Sequence, residues 1–485
     1  MRARLVVHTT GAILRFFSLT FAAPFAVALI YGETRDAAWF AAAAAISAVV
    51  GHVMSRARRA RIDDLKRVEG LAIVAGSWVL VAHAAAIPYA AAGLGPIDAL
   101  FESMSGLTTT GATVMRDFTR FGRGIFFWRA MTHWLGGMGV IALFVAILPR
   151  LGIGGRQLFF AEAPGPTDDK LTPQIRKTAA ALWAVYALLT LAQIVALLAV
   201  GMPLFDSVCN AFATLAAGGF SPHPLSIAGY RNPAAEWIIT LFMFAAGANF
   251  ALHFRALRGN LAVYRHDEEF RAYLGIVLVA SAFLALFLGP QAGGLLDRTR
   301  LALFQVVSII TTTGFASADF ELWNPQSKMV LLVMMFIGGC AGSAGGGPKV
   351  VRHLLIARYT LIELRRTLHP RGLLPVKLGG RVVPDDVMRS VLVFFLFYLL
   401  VFAVCTTIVI GLGADILTGL TATIATLGNI GPGFGPVGPM GHYADLHPVS
   451  KVVLTAAMWI GRLEVLTVLA LLRPEVWRST RFSAG

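Results

Sequence analysis

Polar, glycine-bearing backbone stands between apolar runs at four places in this chain, and that recurrence limits its possible folds more than any other feature. Thr311-Thr312-Thr313-Gly314-Phe315-Ala316 follows the apolar segment 301–310 and precedes another at 329–338. Thr108-Thr109-Thr110-Gly111-Ala112-Thr113 is nearly the same string. Ala216-Ala217-Gly218-Gly219-Phe220-Ser221 and Gly428-Asn429-Ile430-Gly431-Pro432-Gly433 are looser copies. Irregular backbone at membrane depth is tolerated only where it is buried in protein or lines a water-filled path. The expectation is four re-entrant turns that meet on one axis and ring a cation with carbonyl oxygens.

The rest of the chain reads as a membrane protein. Of its 485 residues 57% are hydrophobic and 14% charged, with a mean hydropathy of +0.71. A soluble domain carries about a quarter charged residues. Apolar runs need roughly 20 residues to cross a bilayer, and the sequence holds about ten such runs. The first, near 13–30, has no small-residue cleavage site behind it and leads straight into the run 37–53, so it reads as a spanning helix and not a secretory signal. The formal charge of +15 gathers in the segments 56–67, 150–177, 255–271 and 349–389. Basic loops between spans mark the cytoplasmic side, which puts both termini inside. The same pattern argues against a nucleic-acid surface. Cys209, Cys340 and Cys405 lie in apolar segments at spacings that fit neither a metal site nor a disulfide framework, so they read as packing residues.

The implied fold class is an all-α polytopic membrane protein. Residues 1–67 form an accessory transmembrane hairpin. Four parallel pore repeats follow at 68–178, 179–270, 271–387 and 388–485. Each has a spanning helix, a short amphiphilic helix, the glycine turn, a second spanning helix and a basic segment. The spanning pairs are expected at 71–92 and 125–148, 179–200 and 234–254, 274–288 and an interrupted 329–359, and 391–410 and 449–472. The short helices are expected at 97–107, 204–215, 298–310 and 415–427. Near their starts stand Asp98, Asp206, Asp297 and Asp415. Each is expected to cap its helix and to meet the positive end of the helix dipole, which leaves the negative end aimed at the turn. Parallel repeats suit a pore on a shared axis, whereas inverted repeats suit an alternating-access carrier.

A dehydrated monovalent cation needs a rigid ring of oxygens that it can leave again, and backbone carbonyls supply one without full charge. Glycine reaches positive φ at little cost, hence Gly111, Gly219, Gly314 and Gly431. Thr109, Thr110, Ala217, Gly218, Thr312, Thr313, Asn429 and Ile430 would offer further carbonyls, with threonine side chains bracing the turns. A second feature is the run Gly338-Gly339-Cys340-Ala341-Gly342-Ser343-Ala344-Gly345-Gly346-Gly347-Pro348-Lys349. Each Gly costs a helix about 1 kcal/mol and Pro about 3. This run is expected to be an irregular intramembrane loop in the ion path. Gly338, Gly339, Gly342, Ser343, Gly345, Gly346 and Gly347 would form a movable gate, or else a structural hinge. The run resembles a nucleotide-binding loop only superficially: that motif wants Gly-Lys-Ser/Thr, whereas here Pro348 precedes Lys349 and Val350 follows it.

A third feature is Arg462, inside an apolar helix. An arginine there tends to face the protein interior or a wet cavity, so it is expected in the pore below the turns, repelling cations. The alternative is a salt bridge to Glu464, although residues two apart do not share a helix face. His133, His253 and Asn249 are expected to hydrogen-bond between helices. Asp117, Asp319, Glu321 and Asp445 follow the turns on the outer side, where they either concentrate cations or form ordinary solvated loops. No nucleophile–base pair or metal-spaced cluster appears, which leaves no basis for an enzyme.

These stretches together resemble the Trk/Ktr/HKT superfamily of potassium transporters, and most nearly its bacterial TrkH/TrkG branch. The resemblance rests on Thr108 to Thr113, Gly218-Gly219-Phe220-Ser221, Ala246-Gly247-Ala248-Asn249-Phe250-Ala251-Leu252-His253, Thr311 to Phe315, the glycine run, Asn429-Ile430-Gly431-Pro432-Gly433 and Gly461-Arg462-Leu463-Glu464. It implies K⁺ as the transported ion, no intrinsic cofactor and a homodimer with one pore per protomer. It also implies the bacterial inner membrane and a TrkA-like cytoplasmic ring that binds the regulatory nucleotide. Glycine at all four turns implies potassium over sodium. Ala216-Ala217 replace a more polar pair, so the second turn is expected to be braced less firmly. A Na⁺- or H⁺-coupled symporter is the alternative.

Overall fold

The short amphiphilic stretches form helices at Pro96–Leu107, Leu204–Leu215, Leu295–Ile310 and Ile416–Leu427 in a computed structural model. The structure describes residues 2–56, 67–146, 171–289, 293–369 and 374–471. Most of the first two basic loops, the far ends of the expected helices 125–148 and 449–472, and the C-terminal tail lie outside the described residues. At 1.5 Å per residue the short helices reach roughly 18–24 Å, too little to cross a bilayer core of about 30 Å. Their C-terminal parts are shielded, while Leu204, Leu295, Leu296 and Ile416 near their starts are exposed. Residues 101–107, 304–310 and 421–427 are buried without exception.

Each short helix packs against the spanning helix before it: Arg67–Ala91, Leu171–Ala199, Glu268–Leu288 and Asp385–Gly411. These outer helices are apolar all round, as a helix between protein and lipid must be. In Asp385–Gly411, Phe394, Tyr398 and Val409 are buried, while Leu392, Leu396, Leu399, Leu400 and Val404 are exposed. The chain is thus a polytopic membrane protein with four parallel repeats around one axis. The N-terminal pair is Ala3–Phe17 with Ala22–Ile30, and then Thr34–Ser55. Gly11 and Gly51 let its backbones touch, since a Cβ on Gly51 would lie 2.6 Å from the Arg15 nitrogen. The pair is clamped to the first repeat at both ends. Arg2 meets Glu69 at 2.8 Å, and the Glu33 carboxylate accepts the amides of Arg123 (2.6 Å) and Gly124 (2.8 Å).

Three expectations need correction. The second helices are not all single spans. The first is continuous, Arg123–Ala146. The second breaks into Pro233–Ala246 and Phe250–Leu257 with a 102° bend. Gly247 there lies against Thr311 and Tyr273, and Asn249 restarts the helix by accepting the Ala251 amide at 2.8 Å. The third is Pro325–Met334 and Val350–Leu368, interrupted as expected. The fourth splits into Pro448–Arg462 and Val465–Leu471 at Glu464, whose φ is +62°. Six described helices are long and apolar enough to span alone, or seven with the bent pair counted as one span.

The acids are not four caps. Only Asp415 caps its helix, accepting the Thr418 amide at 2.7 Å. Asp98, Asp206 and Asp297 stand third in their helices, behind Gly95, Pro203 and Gly294 at the cap positions. From there their side chains meet neighbours: Lys451, the Tyr230 hydroxyl at 2.9 Å and Arg300 at 3.1 Å. They remain in the first turn, where negative charge opposes the helix dipole. Finally, a small hairpin interrupts the all-helical pattern, pairing Lys377 with Val382 and Leu378 with Arg381. Gly379 and Gly380 both take positive φ, the two-residue turn that matches strand twist.

Candidate functional site

All four short helices end the same way. In the first, the Thr109 amide bonds back to Gly106 O (3.1 Å) and the Thr110 amide to Ser105 O (2.8 Å). The same pair recurs at Ala217 and Gly218, Thr312 and Thr313, and Asn429 and Ile430. This double closure is a Schellman cap, and it needs a left-handed residue, usually Gly. Here the residues are Thr109 (φ +52°), Ala217 (+55°), Thr312 (+59°) and Asn429 (+55°). A left-handed non-glycine costs roughly 1–3 kcal/mol and persists where surroundings enforce it, as they do at functional sites. Sequence reasoning assigned positive φ only to the glycines. Those follow two residues later, with Gly111 at +83°, Gly219 at +79°, Gly314 at +79° and Gly431 at +102°.

The alternation brings the turns together in a closed ring. A Cβ on Gly111 would collide with Gly218 O, one on Gly219 with Thr313 O, one on Gly314 with Ile430 O, and one on Gly431 with Thr110 O. Each glycine therefore packs on the carbonyl that precedes the next turn's glycine, in chain order, and the fourth closes on the first. The C-terminal, negative ends of four helices meet there. A cavity of about 120 Å³ opens above, lined by all four glycines with Thr113, Arg129, Ser221, His223 and His442. Thr108 and Thr110 share a hydroxyl hydrogen bond of 2.8 Å, as do Thr311 and Thr313. Ala216 removes that brace from the second turn. Asn429 donates to Thr110 Oγ1 and to Met458 O, both at 3.0 Å.

The glycine run 338–347 is irregular and packs against the helix-end side of the third and fourth turns. Gly345 lies against Thr311 O, and Gly346 against Gly428 O and Asn429. The Gly346 amide donates to Thr312 Oγ1 at 2.6 Å. The loop also completes the break in the second repeat. Cys340 and Ala344 amides donate to Gly247 O and Ala246 O, and Gly342 O accepts the Phe250 amide. Backbone groups freed by one broken helix are thus satisfied by the other. Gly338 donates to Pro348 O at 2.8 Å, Ser343 is buried, Gly339 abuts Gly247, and Gly347 is at φ +65° near Thr312. Lys349 reaches Gly345 O within the loop.

Arg462 is buried and donates to Ala344 O of the loop at 3.0 Å and to Gly136 O at 3.4 Å. Glu464 pairs instead with Arg352 at 2.7 Å. His253 lies between Tyr264 OH (2.7 Å) and Ala245 O (2.8 Å), while His133 Nε2 accepts the Phe220 amide at 3.3 Å. The outer acids mostly tie loops. Asp117 and Asp319 cap short 3₁₀ turns, Glu321 accepts the Gly435 amide, and Asp445 pairs with Arg116. Sequence reasoning missed Glu102 and Arg129, a fully buried pair at 2.8 Å behind the first turn. Their signal was an Arg and a Glu inside apolar helices, as costly as Arg462.

A family model described as TrkH, cation transport protein, matches residues 37–278 and 292–479. The chain belongs to the TrkH family. It is 41% identical to the Trk system potassium uptake protein TrkH of Salmonella typhimurium, over 99% of this chain and 100% of that one. The TrkG protein of the Trk system from Escherichia coli is 35% identical, over 98% and 99%. The crystal structure of the potassium transporter TrkH from Vibrio parahaemolyticus has a TM-score of 0.90 at 38% identity, covering 99% of this chain and 100% of that one. The family resemblance read from the motifs is borne out, as is the repeat architecture. TrkH membership makes the chain a transport protein and not an enzyme.

Proposed function

We propose that this chain carries potassium ions into the bacterial cell across the inner membrane, with the four-turn ring as its selectivity filter. Its ligands are the carbonyls of Thr109, Thr110, Gly111, Ala217, Gly218, Gly219, Thr312, Thr313, Gly314, Asn429, Ile430 and Gly431. The observation that carries this reading is the closed cycle of glycine-on-carbonyl contacts, which gathers the ends of four helices in one place. A carbonyl ring replaces the hydration shell of a monovalent cation, and the named relatives are potassium uptake proteins. A membrane negative inside favours entry by about 2.3 kcal/mol per 100 mV for each charge.

The loop 338–347 is the gate, and Arg462 holds it through Ala344 O while placing positive charge in the path. The pore repeats are bounded at 68–178, 179–270, 271–387 and 388–485, after the accessory hairpin 1–67. The chain works as a homodimer with both termini cytoplasmic, and a TrkA-like nucleotide-binding ring drives the loop from the inside.

The test is rubidium uptake into liposomes holding the purified chain, with and without Na⁺ and H⁺ gradients. Uptake without either gradient is expected, whereas uptake that requires one identifies a coupled symporter. Gly314→Ser forces a side chain onto Ile430 O at a left-handed position. At about 1–2 kcal/mol, it is expected to lower Rb⁺ over Na⁺ selection roughly 5- to 30-fold. An unchanged ratio removes the ring from the role of filter.

A further inference from the structure

The four turns are braced from behind by different chemistry. Nine residues before each ring glycine stand Glu102, Asn210, Gln305 and Ala422, all fully buried. Glu102 holds its own turn, accepting the Thr113 hydroxyl (3.0 Å) and the Val114 amide (2.9 Å). Gln305 donates to Phe315 O (3.2 Å), with Ser308 donating to the same oxygen (2.6 Å). In the fourth turn Thr421 accepts the Phe434 amide at 2.9 Å. Asn210 does not hold its turn, because its amide is spent on Met202 Sδ at 3.7 Å. With Ala216 in place of a threonine, the second turn is braced mainly from the first repeat, where His133 Nε2 accepts the Phe220 amide at 3.3 Å.

Arg129 adds a second brace from the same helix of the first repeat. Its Nε donates to Glu102 (2.8 Å), its Nη2 to Thr113 Oγ1 (3.2 Å) and its Nη1 to Ser221 O (3.4 Å). Its guanidinium lies 3.9 Å from the ring centroid of Phe220. Ser221 and Phe220 directly follow Gly219. We propose that Arg129 is a positioning residue for ion selection: one planar fork, anchored on Glu102, fixes the second turn to the first. This rests on the ring being the filter. Only arginine offers rigid coplanar donors and a stacking face together, whereas lysine is a point charge. A ring that is loose in one quarter contracts around a smaller ion, so the fork acts on Na⁺ rejection more than on K⁺ passage.

The experiment measures Rb⁺ and Na⁺ uptake by the full chain in liposomes. Arg129→Lys keeps Glu102 paired but loses the fork. Glu102→Gln with Arg129→Gln removes both charges, so neither is left buried alone. Phe220→Leu leaves every charge paired and removes only the stacking face. The Rb⁺/Na⁺ ratio is expected to fall about fivefold or more in the first two, the value of one lost hydrogen bond, and less in the third. Rb⁺ flux is expected to stay within about threefold of the parent. An unchanged ratio in folded variants overturns the proposal, and so does a proportional loss of both fluxes, which marks a purely structural pair. Gly314→Ser, measured alongside, separates the two failures. If it lowers the ratio while the Arg129 variants do not, only the fork is wrong. If it too leaves the ratio unchanged, the filter reading fails.

Discussion

Thr312→Val tests the coupling between ring and loop at a single atom. The Thr312 hydroxyl accepts the Gly346 amide at 2.6 Å, with both residues buried. Valine has nearly the same shape and the same β-branch, so the strain of φ +59° is unchanged. What changes is that the Gly346 amide loses its acceptor away from water. An unsatisfied buried donor costs about 1–3 kcal/mol. The cost falls only on the state in which the loop is docked, so the docked-to-released ratio drops roughly 5- to 150-fold. Basal Rb⁺ uptake by liposomes holding the chain alone is expected to rise accordingly. Thr109→Val is the control. It is the equivalent position in the first turn, and its hydroxyl has no partner among the described residues. Its uptake is expected to match the parent. Thr312→Val uptake at or below the parent, or an equal rise in both variants, refutes the reasoning.

Two further outcomes are expected. Arg462→Ala removes the donor to Ala344 O and Gly136 O and takes positive charge from the proposed path, so basal Rb⁺ uptake is expected to rise; a decrease reverses the proposed role. Glu33→Gln keeps one acceptor for the Arg123 and Gly124 amides, turns the other into a donor, and loses the charge at a helix N-terminus, together worth about 1–2 kcal/mol. The thermal midpoint in detergent is expected to drop while the Rb⁺/Na⁺ ratio stays fixed, and a changed ratio ties the accessory pair to the ring.

Much of the architecture was legible because lipid enforces simple rules. A run must be apolar to span, and irregular backbone must be shielded, so Thr311 to Phe315 and the run 338–347 stood out without any contact information. The short helices lie close to their expected bounds for the same reason. Other features left no local mark. The 102° bend at Gly247 arises because the loop of the next repeat supplies partners for the freed backbone groups. Asp98, Asp206 and Asp297 looked like caps because sequence gives their place near a helix start but not the neighbour that takes the side chain.

The order of residues alone determined four hairpins, each with a glycine where the chain must turn left-handed, and the positions of the charges that lipid would not tolerate. Only the tertiary structure decided that Gly111, Gly219, Gly314 and Gly431 each rest on the next turn's carbonyl, and that Arg129 and Arg462 reach across repeats. The physical reason is range. Backbone handedness and hydrophobicity act within a few residues, whereas a ring and its braces exist only once segments hundreds of residues apart, such as Thr110 and Gly431, exclude each other's side chains.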